Sequence, residues 1–128
     1  MNSKLVIRLW EAQGVPRAVA EHRFHPERKW RFDYAFPAVQ SVPRCNEYGE
    51  KSGCITYECG GVAVEVQGGI WTKGRHTRGA ALLKEWEKLN TAAALGWRVL
   101  FVAPGKETST AFVTLLEQAL SQNPALSL

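Results

Sequence analysis

The chain has 128 residues, 45% of them hydrophobic and 22% charged, with a net charge of +4; that length suits one domain able to bury most of its apolar surface. No run approaches the roughly 20 apolar residues of a membrane helix, and the opening Met1–Arg8 has too short an apolar core for a secretory signal. Three cysteines argue against a disulfide framework, so a single cytoplasmic domain over residues 1–128 is expected, with no membrane partner.

The isoelectric point near 9.2 is compatible with a polyanionic partner without requiring one. Much of the positive charge lies in Lys4–Arg8, Arg17–Arg31 and Lys73–Arg78. Residues 3 to about 13 place Leu5, Leu9 and Ala12 at helical spacing, with Ser3 as N-cap and Gly14 as the stop. Val19 onward reads as a strand turning into a second one. There Trp30, Phe32, Tyr34 and Phe36 share one face, Asp33 takes the other, and Pro37 ends the run. The turn of this hairpin carries His25, Arg28, Lys29 and Arg31 among aromatics, a composition suited to phosphate and sugar contacts.

Residues 37–61 shift to Pro, Ser, Gly, Asn and Cys, which predicts a long loop or a β-extension in which only Cys54–Cys59 is strand-like. The stretch from Val62 to Gly69 is the most informative. Val62, Val64 and Val66 make an aliphatic face, while Glu65 and Gln67 point together to the other side. If this strand neighbours the one holding Asp33, two carboxylates converge, which is the usual protein contribution to a magnesium site.

Ile70–Gly79 is too polar and glycine-bearing for a strand and is expected as a loop beside the carboxylates, aiming Lys73, Arg75, His76 and Arg78 at phosphates. Ala80–Leu95 reads as a helix with Leu82, Leu83, Trp86, Leu89 and Ala93 inward, Lys84, Lys88 and Thr91 off that stripe, and Gly96 closing it. Trp97–Ala103 is a core strand ended by Pro104 and Gly105. Thr108 or Ser109 then caps a last helix through Phe112, Leu115, Leu116, Ala119 and Leu120. This succession gives an α/β (α+β) fold with a mixed central sheet flanked by helices.

Asp33, the Glu65-Val66-Gln67 triplet, the run Glu21-His-Arg-Phe-His-Pro-Glu-Arg-Lys-Trp-Arg-Phe-Asp33, Gly74-Arg-His76 and Glu87-Lys88-Leu-Asn90 through Trp97 appear in that order. In this the chain resembles the PD-(D/E)XK nuclease superfamily, in particular its small phage-type and very-short-patch-repair-like endonucleases. The resemblance spans about residues 5–103. It implies a restriction-endonuclease-like core in the order αβββαβ(α), and Mg2+- or Mn2+-dependent hydrolysis of DNA, on branched or otherwise structured substrates as in junction resolution, recombination or repair. It further implies a phage- or bacterium-encoded protein of the host cytosol, for which a homodimer is compatible. Asp33 and Glu65 would hold the metal with the Val66 carbonyl as a third ligand, and Glu21, or with less support Glu11, a second metal. Gln67, Lys88 and His76 would join Asp33 and Glu65 in catalysis, with Lys73, Arg75, Arg78, Arg28, Lys29 and Arg31 on DNA. The departure is Gln67, which stands where the signature has lysine and cannot supply a positive charge; Lys88, Lys73 or His76 would supply it instead.

Plainer readings stand beside these. Asp33 alone could be a solvated residue on an open sheet face, His76 an exposed loop histidine, and Lys88 an ordinary surface lysine of a helix. Trp30, Trp71, Trp86 and Trp97 are expected in the core, with Trp71 the one candidate for stacking on bases. Zinc at Cys45, Cys54 and Cys59 is not expected, because spacings of nine and five residues lack a close knuckle. The alternatives to a junction nuclease are a simple strand-nicking nuclease and a non-catalytic DNA-binding module with the same fold.

Overall fold

The computed structural model describes residues 2–45, 48–49, 51–67 and 75–122, the side chains of 39–45, 51–59 and 75–78 excepted. Helix α1 (Ser3–Ala12) leads into strand β1 (Val19–Arg23), which pairs antiparallel with β2 (Arg31–Cys45); β2 pairs antiparallel with β3 (Lys51–Val66). Helix α2 (Arg75–Ala94) then crosses over to β4 (Arg98–Val102), which runs parallel to β3, and α3 (Thr110–Ser121) follows. The result is a mixed four-stranded sheet in the order β1-β2-β3-β4 with three helices, in the succession expected from the sequence. Among the described residues no helix is long and apolar enough to cross a membrane.

Each face of the sheet has its own core. On one, Val6 and Trp10 of α1 and Phe112, Val113, Leu116 and Leu120 of α3 pack on Tyr34, Phe36, Val62, Val64 and Val102. On the other, Phe24, Phe32, Ala35, Ala63 and Trp97 gather with Ala92 of α2. The first core is tied across the chain by the Trp10 indole N–H, which donates to the Glu107 carbonyl at 2.8 Å, so the largest side chain of α1 is buried without stranding its donor.

Several expectations are corrected. The cap of α1 is Asn2, whose side-chain oxygen accepts from the Leu5 N–H at 2.9 Å. Its buried line is Val6 and Trp10, leaving Leu5 exposed. Phe32 does not share a face with Tyr34 and Phe36. It stacks on Phe24, ring centroids 4.2 Å apart, in the opposite core, and the change of face falls at Asp33, opposite Glu21 with its left-handed φ of 52°. In α3, capped by Ser109 as expected, Val113 is buried and Leu115 exposed.

Pro37 does not end its strand. Phe36 pairs with Val62 and Ala38 with Cys59, so Gly60 and Gly61 together oppose Pro37 in a bulge; a bulge tolerates the missing N–H of proline. Residues 37–45 and 51–61 thereby form a β-extension, and β3 begins at Lys51, well before Cys54. Both glycines are sterically required. A Cβ on Gly61 would lie 2.1 Å from the Phe36 carbonyl oxygen, and one on Gly60 would lie 2.3 Å from the carbonyl carbon of Gly96.

The helix α2 begins at Arg75, five residues earlier than expected, so the backbone of Arg75, His76 and Arg78 is helical and not loop. Residues 68–74, with Trp71 and Lys73, lie outside the described residues. The expected apolar stripe of α2 is only partly inward. Leu83, Trp86 and Ala93 are exposed, Leu82 and Leu89 are half-buried as Glu85 and Lys88 are, and Ala92 is buried.

Two alanine substitutions should move stability in opposite directions. Gly61→Ala must displace backbone and should cost about 2 kcal/mol or more, whereas Gly79→Ala, in an exposed turn of α2 with nothing near its Cβ, should stabilise by about 0.5–1 kcal/mol. Urea midpoints of the two variants test the bulge, and an undisturbed Gly61→Ala would refute the assigned geometry.

Candidate active site

β3 lies between β2 and β4, so its side chains belong to the interior on both faces. Val62 and Val64 obey this and Glu65 does not fit it: the carboxylate is 4% exposed and has left water at a cost that only partners can offset. One neighbouring group offsets it and a second adds to it. The Lys88 ammonium of α2 donates to Glu65 Oε1, and Asp33 lies within hydrogen-bonding reach of the same carboxylate. Burial dominates the balance. It pushes the Glu65 carboxyl up to about 7, the contact with Lys88 pulling it down and the neighbouring Asp33 raising it again.

Asp33 sits where β2 and β3 part. The two strands pair as far as Tyr34 and Val64, and the next main-chain donor of β3 that could meet β2, the Val66 N–H, is taken by Asp33 Oδ2 at 2.7 Å. A side chain thus replaces a rung of the ladder. The Gln67 N–H turns to β4, donating to the Val102 carbonyl at 2.9 Å, and the Gln67 side-chain amide donates to Glu85 Oε1 at 3.2 Å. Glu65 and Gln67, two apart on the strand, therefore meet Lys88 and Glu85, three apart on the antiparallel-running helix.

Asp33 also opens onto a cleft of about 370 Å3, lined by Ser3, Glu21, Asp33, Tyr34, Val66, Pro104, Gly105 and Glu107. Three carboxylates face it, and burial, then Glu107, Asp33 and Glu21, raise the Tyr34 phenol, which keeps that hydroxyl a donor. Glu107, almost fully buried, accepts from the Gly105 N–H. Glu21 borders the cleft in a left-handed conformation rare for a non-glycine residue.

The sequence-derived site residues fare differently. Asp33, Glu65, Gln67 and Lys88 come together as expected. The larger ligand set does not assemble: among the described residues no three His, Cys, Asp or Glu side chains are placed to hold a metal, because Glu21 is on β1, separated from Glu65 by the whole of β2. What remains for a hard cation is the Asp33–Glu65 pair, two neighbouring carboxylates, with water needed to complete the shell as magnesium tolerates. Val66 borders the cleft, and Glu11 instead pairs with Arg17 at 3.3 Å on the exposed side of α1.

On the basic hairpin turn, Arg28 is already engaged. It lies 4.2 Å over the Trp30 ring and 3.0 Å from the Glu87 carboxylate of α2, while His25 Nδ1 accepts the N–H groups of Glu27 and Arg28 at 3.1 and 2.9 Å and holds the turn closed. Lys29 and Arg31 remain exposed. The side chains of Arg75, His76 and Arg78, and of the three cysteines, lie outside the described residues. Glu85 and Glu107 were missed from sequence. A weak signal existed for Glu85, which is i−3 from Lys88 on one helix face.

The raised Glu65 group carries a sign for stability. Below pH 4.5 it is protonated folded or unfolded; between 4.5 and about 7 the unfolded chain loses this proton first, so the metal-free protein should lose stability as pH rises through that window. Glu65→Gln should remove that part of the slope in urea titrations, and superimposable wild-type and variant curves would contradict the burial of the charge. No family model, curated protein or solved structure matches the chain.

Proposed function

We propose that the chain is a metal-dependent endodeoxyribonuclease with a restriction-endonuclease-like fold, acting on branched or otherwise structured DNA. The observation that carries this reading is the polar quartet Asp33, Glu65, Gln67 and Lys88 on a strand position that folding alone would fill with an aliphatic side chain. An arrangement that costs the fold stability is the usual mark of a functional site. The element order, with β3 and β4 parallel around the α2 crossover, agrees with the fold expected from the resemblance.

Asp33 and Glu65 would hold Mg2+ or Mn2+, which supplies a water of lowered pKa and screens the phosphate. With such a metal bound, water would add to phosphorus as one P–O ester bond breaks, the water's proton passing to solvent and the departing oxygen taking a proton from solvent. Among the described residues Lys88 is the cation in contact with Glu65, and it would take the place of the signature lysine that Gln67 lacks, offsetting the charge that develops on the non-bridging oxygens. Lys29 and Arg31 on the hairpin turn, with Arg75 and Arg78 at the start of α2, would bind the DNA backbone. A second reading, a DNA-binding module without catalysis, is favoured by one contact: Lys88 already neutralises Glu65 and competes with a cation for the same oxygen.

Cleavage of supercoiled plasmid and of a four-way junction separates the two. Asp33→Ala and Glu65→Ala should each reduce Mg2+-dependent cutting to background and weaken Mn2+ binding in calorimetry. Lys88→Met should lower kcat about a hundredfold, roughly 3 kcal/mol, with Mn2+ affinity retained. Junction cutting by Asp33→Ala at the wild-type rate would sink the assignment. Removing Arg75 and Arg78 together should flatten the salt dependence of DNA binding by about two in log–log slope, and an unchanged slope would place the start of α2 away from DNA.

A further inference from the structure

Glu85 has no place in the scheme above, yet it is half-buried on the inward line of α2 and is the acceptor for the Gln67 side chain at 3.2 Å. A carboxylate offers only acceptor atoms, so the end of the Gln67 amide turned to α2 has to be its NH2 group. The other end, the carbonyl oxygen, is thereby directed away from Glu85. Gln67 follows Glu65 by two residues on an extended backbone that continues the ladder to Val102, so that oxygen belongs to the same side of the strand as the Glu65 carboxylate.

We propose that Glu85 is a positioning residue that fixes the Gln67 amide with its oxygen toward the reacting centre, where it accepts a hydrogen bond from the attacking water. The proposal rests on the hydrolytic reading. Gln67, standing where the signature has lysine, then acts as an oriented acceptor on the water, while Lys88 three residues beyond Glu85 carries the charge. One turn of α2 governs both. A lysine at 67 would serve badly here, since Glu85 would capture its ammonium.

Side-chain amide NMR of Gln67, calorimetry with Mn2+ and DNA cleavage together test this in the full-length protein. Glu85→Gln can still present a carbonyl oxygen to the Gln67 NH2, so amide resonances, Mn2+ affinity and kcat should stay within about threefold of wild type. Glu85→Lys offers only donors and should turn the amide around, shifting both Gln67 NH2 resonances and lowering kcat about a hundredfold with KM for DNA not raised. In a Lys88→Met background, Gln67→Lys should restore activity only when Glu85→Gln is added. Unmoved Gln67 resonances in Glu85→Lys overturn the contact, and moved resonances with wild-type kcat overturn the role toward water. Wild-type protein that binds no Mn2+ and cuts no DNA overturns the hydrolytic reading and the water role with it. That result is distinguishable, because the amide resonances report the Glu85 contact without any turnover.

Discussion

A carboxylate held inside a central strand is the constraint from which the neighbouring structure follows. Glu65 cannot be buried alone, since an uncompensated interior charge costs several kcal/mol, and the elements around it all send a group to this point. The Lys88 ammonium comes from α2, Asp33 comes from β2 at the point where that strand parts from β3, and the Val66 N–H freed by the parting is satisfied by Asp33. Removing Lys88 leaves Glu65 buried beside Asp33 with no cation, and removing Asp33 strands the Val66 N–H, so the group behaves as a unit and not as a sum of pairs.

The cost of housing the quartet is visible in α2. A helix crossing over a sheet normally lays its apolar stripe on it, but here that line includes Glu85, Lys88 and Ala92. Leu82 and Leu89 share that half-buried side, while Trp86 and Ala93 are turned out to solvent. The salt bridge from Glu87 to Arg28 turns one flank toward the β1–β2 hairpin. Small residues close the gap beneath: Ala63 and Ala35 on the sheet and Ala92 on the helix bring the two backbones near enough for Glu65 to reach Lys88.

That trade explains what could be read from the sequence and what could not. Element order was legible, since alternation and helical spacing report burial of whole elements, and so was the convergence of Asp33, Glu65 and Gln67, which follows from period two along neighbouring strands. The facing of α2 was not, because its apolar residues announce a stripe while its polar ones face inward, and no local pattern distinguishes a lysine on the surface from one recruited by a distant glutamate. The change of face at Asp33 was hidden for a related reason: it coincides with an irregularity on a different strand, the left-handed φ of 52° at Glu21 opposite it. Pro37 read as a strand end because the two glycines that accommodate it lie more than twenty residues later.

The bulge at Pro37 divides the long β2–β3 ladder in two. Beyond Ala38 and Cys59 the backbone ladder continues to Cys45 and Lys51, roughly 20–25 Å of two-stranded β structure at the usual rise per residue, while the quartet and the register at Tyr34 and Val64 lie on the other side of Gly60 and Gly61. Residues can be gained or lost there in matched pairs, one per strand, without altering the register at Tyr34 and Val64 that sets the site. The length of this two-stranded ribbon can therefore change while the buried carboxylate and its partners keep their register.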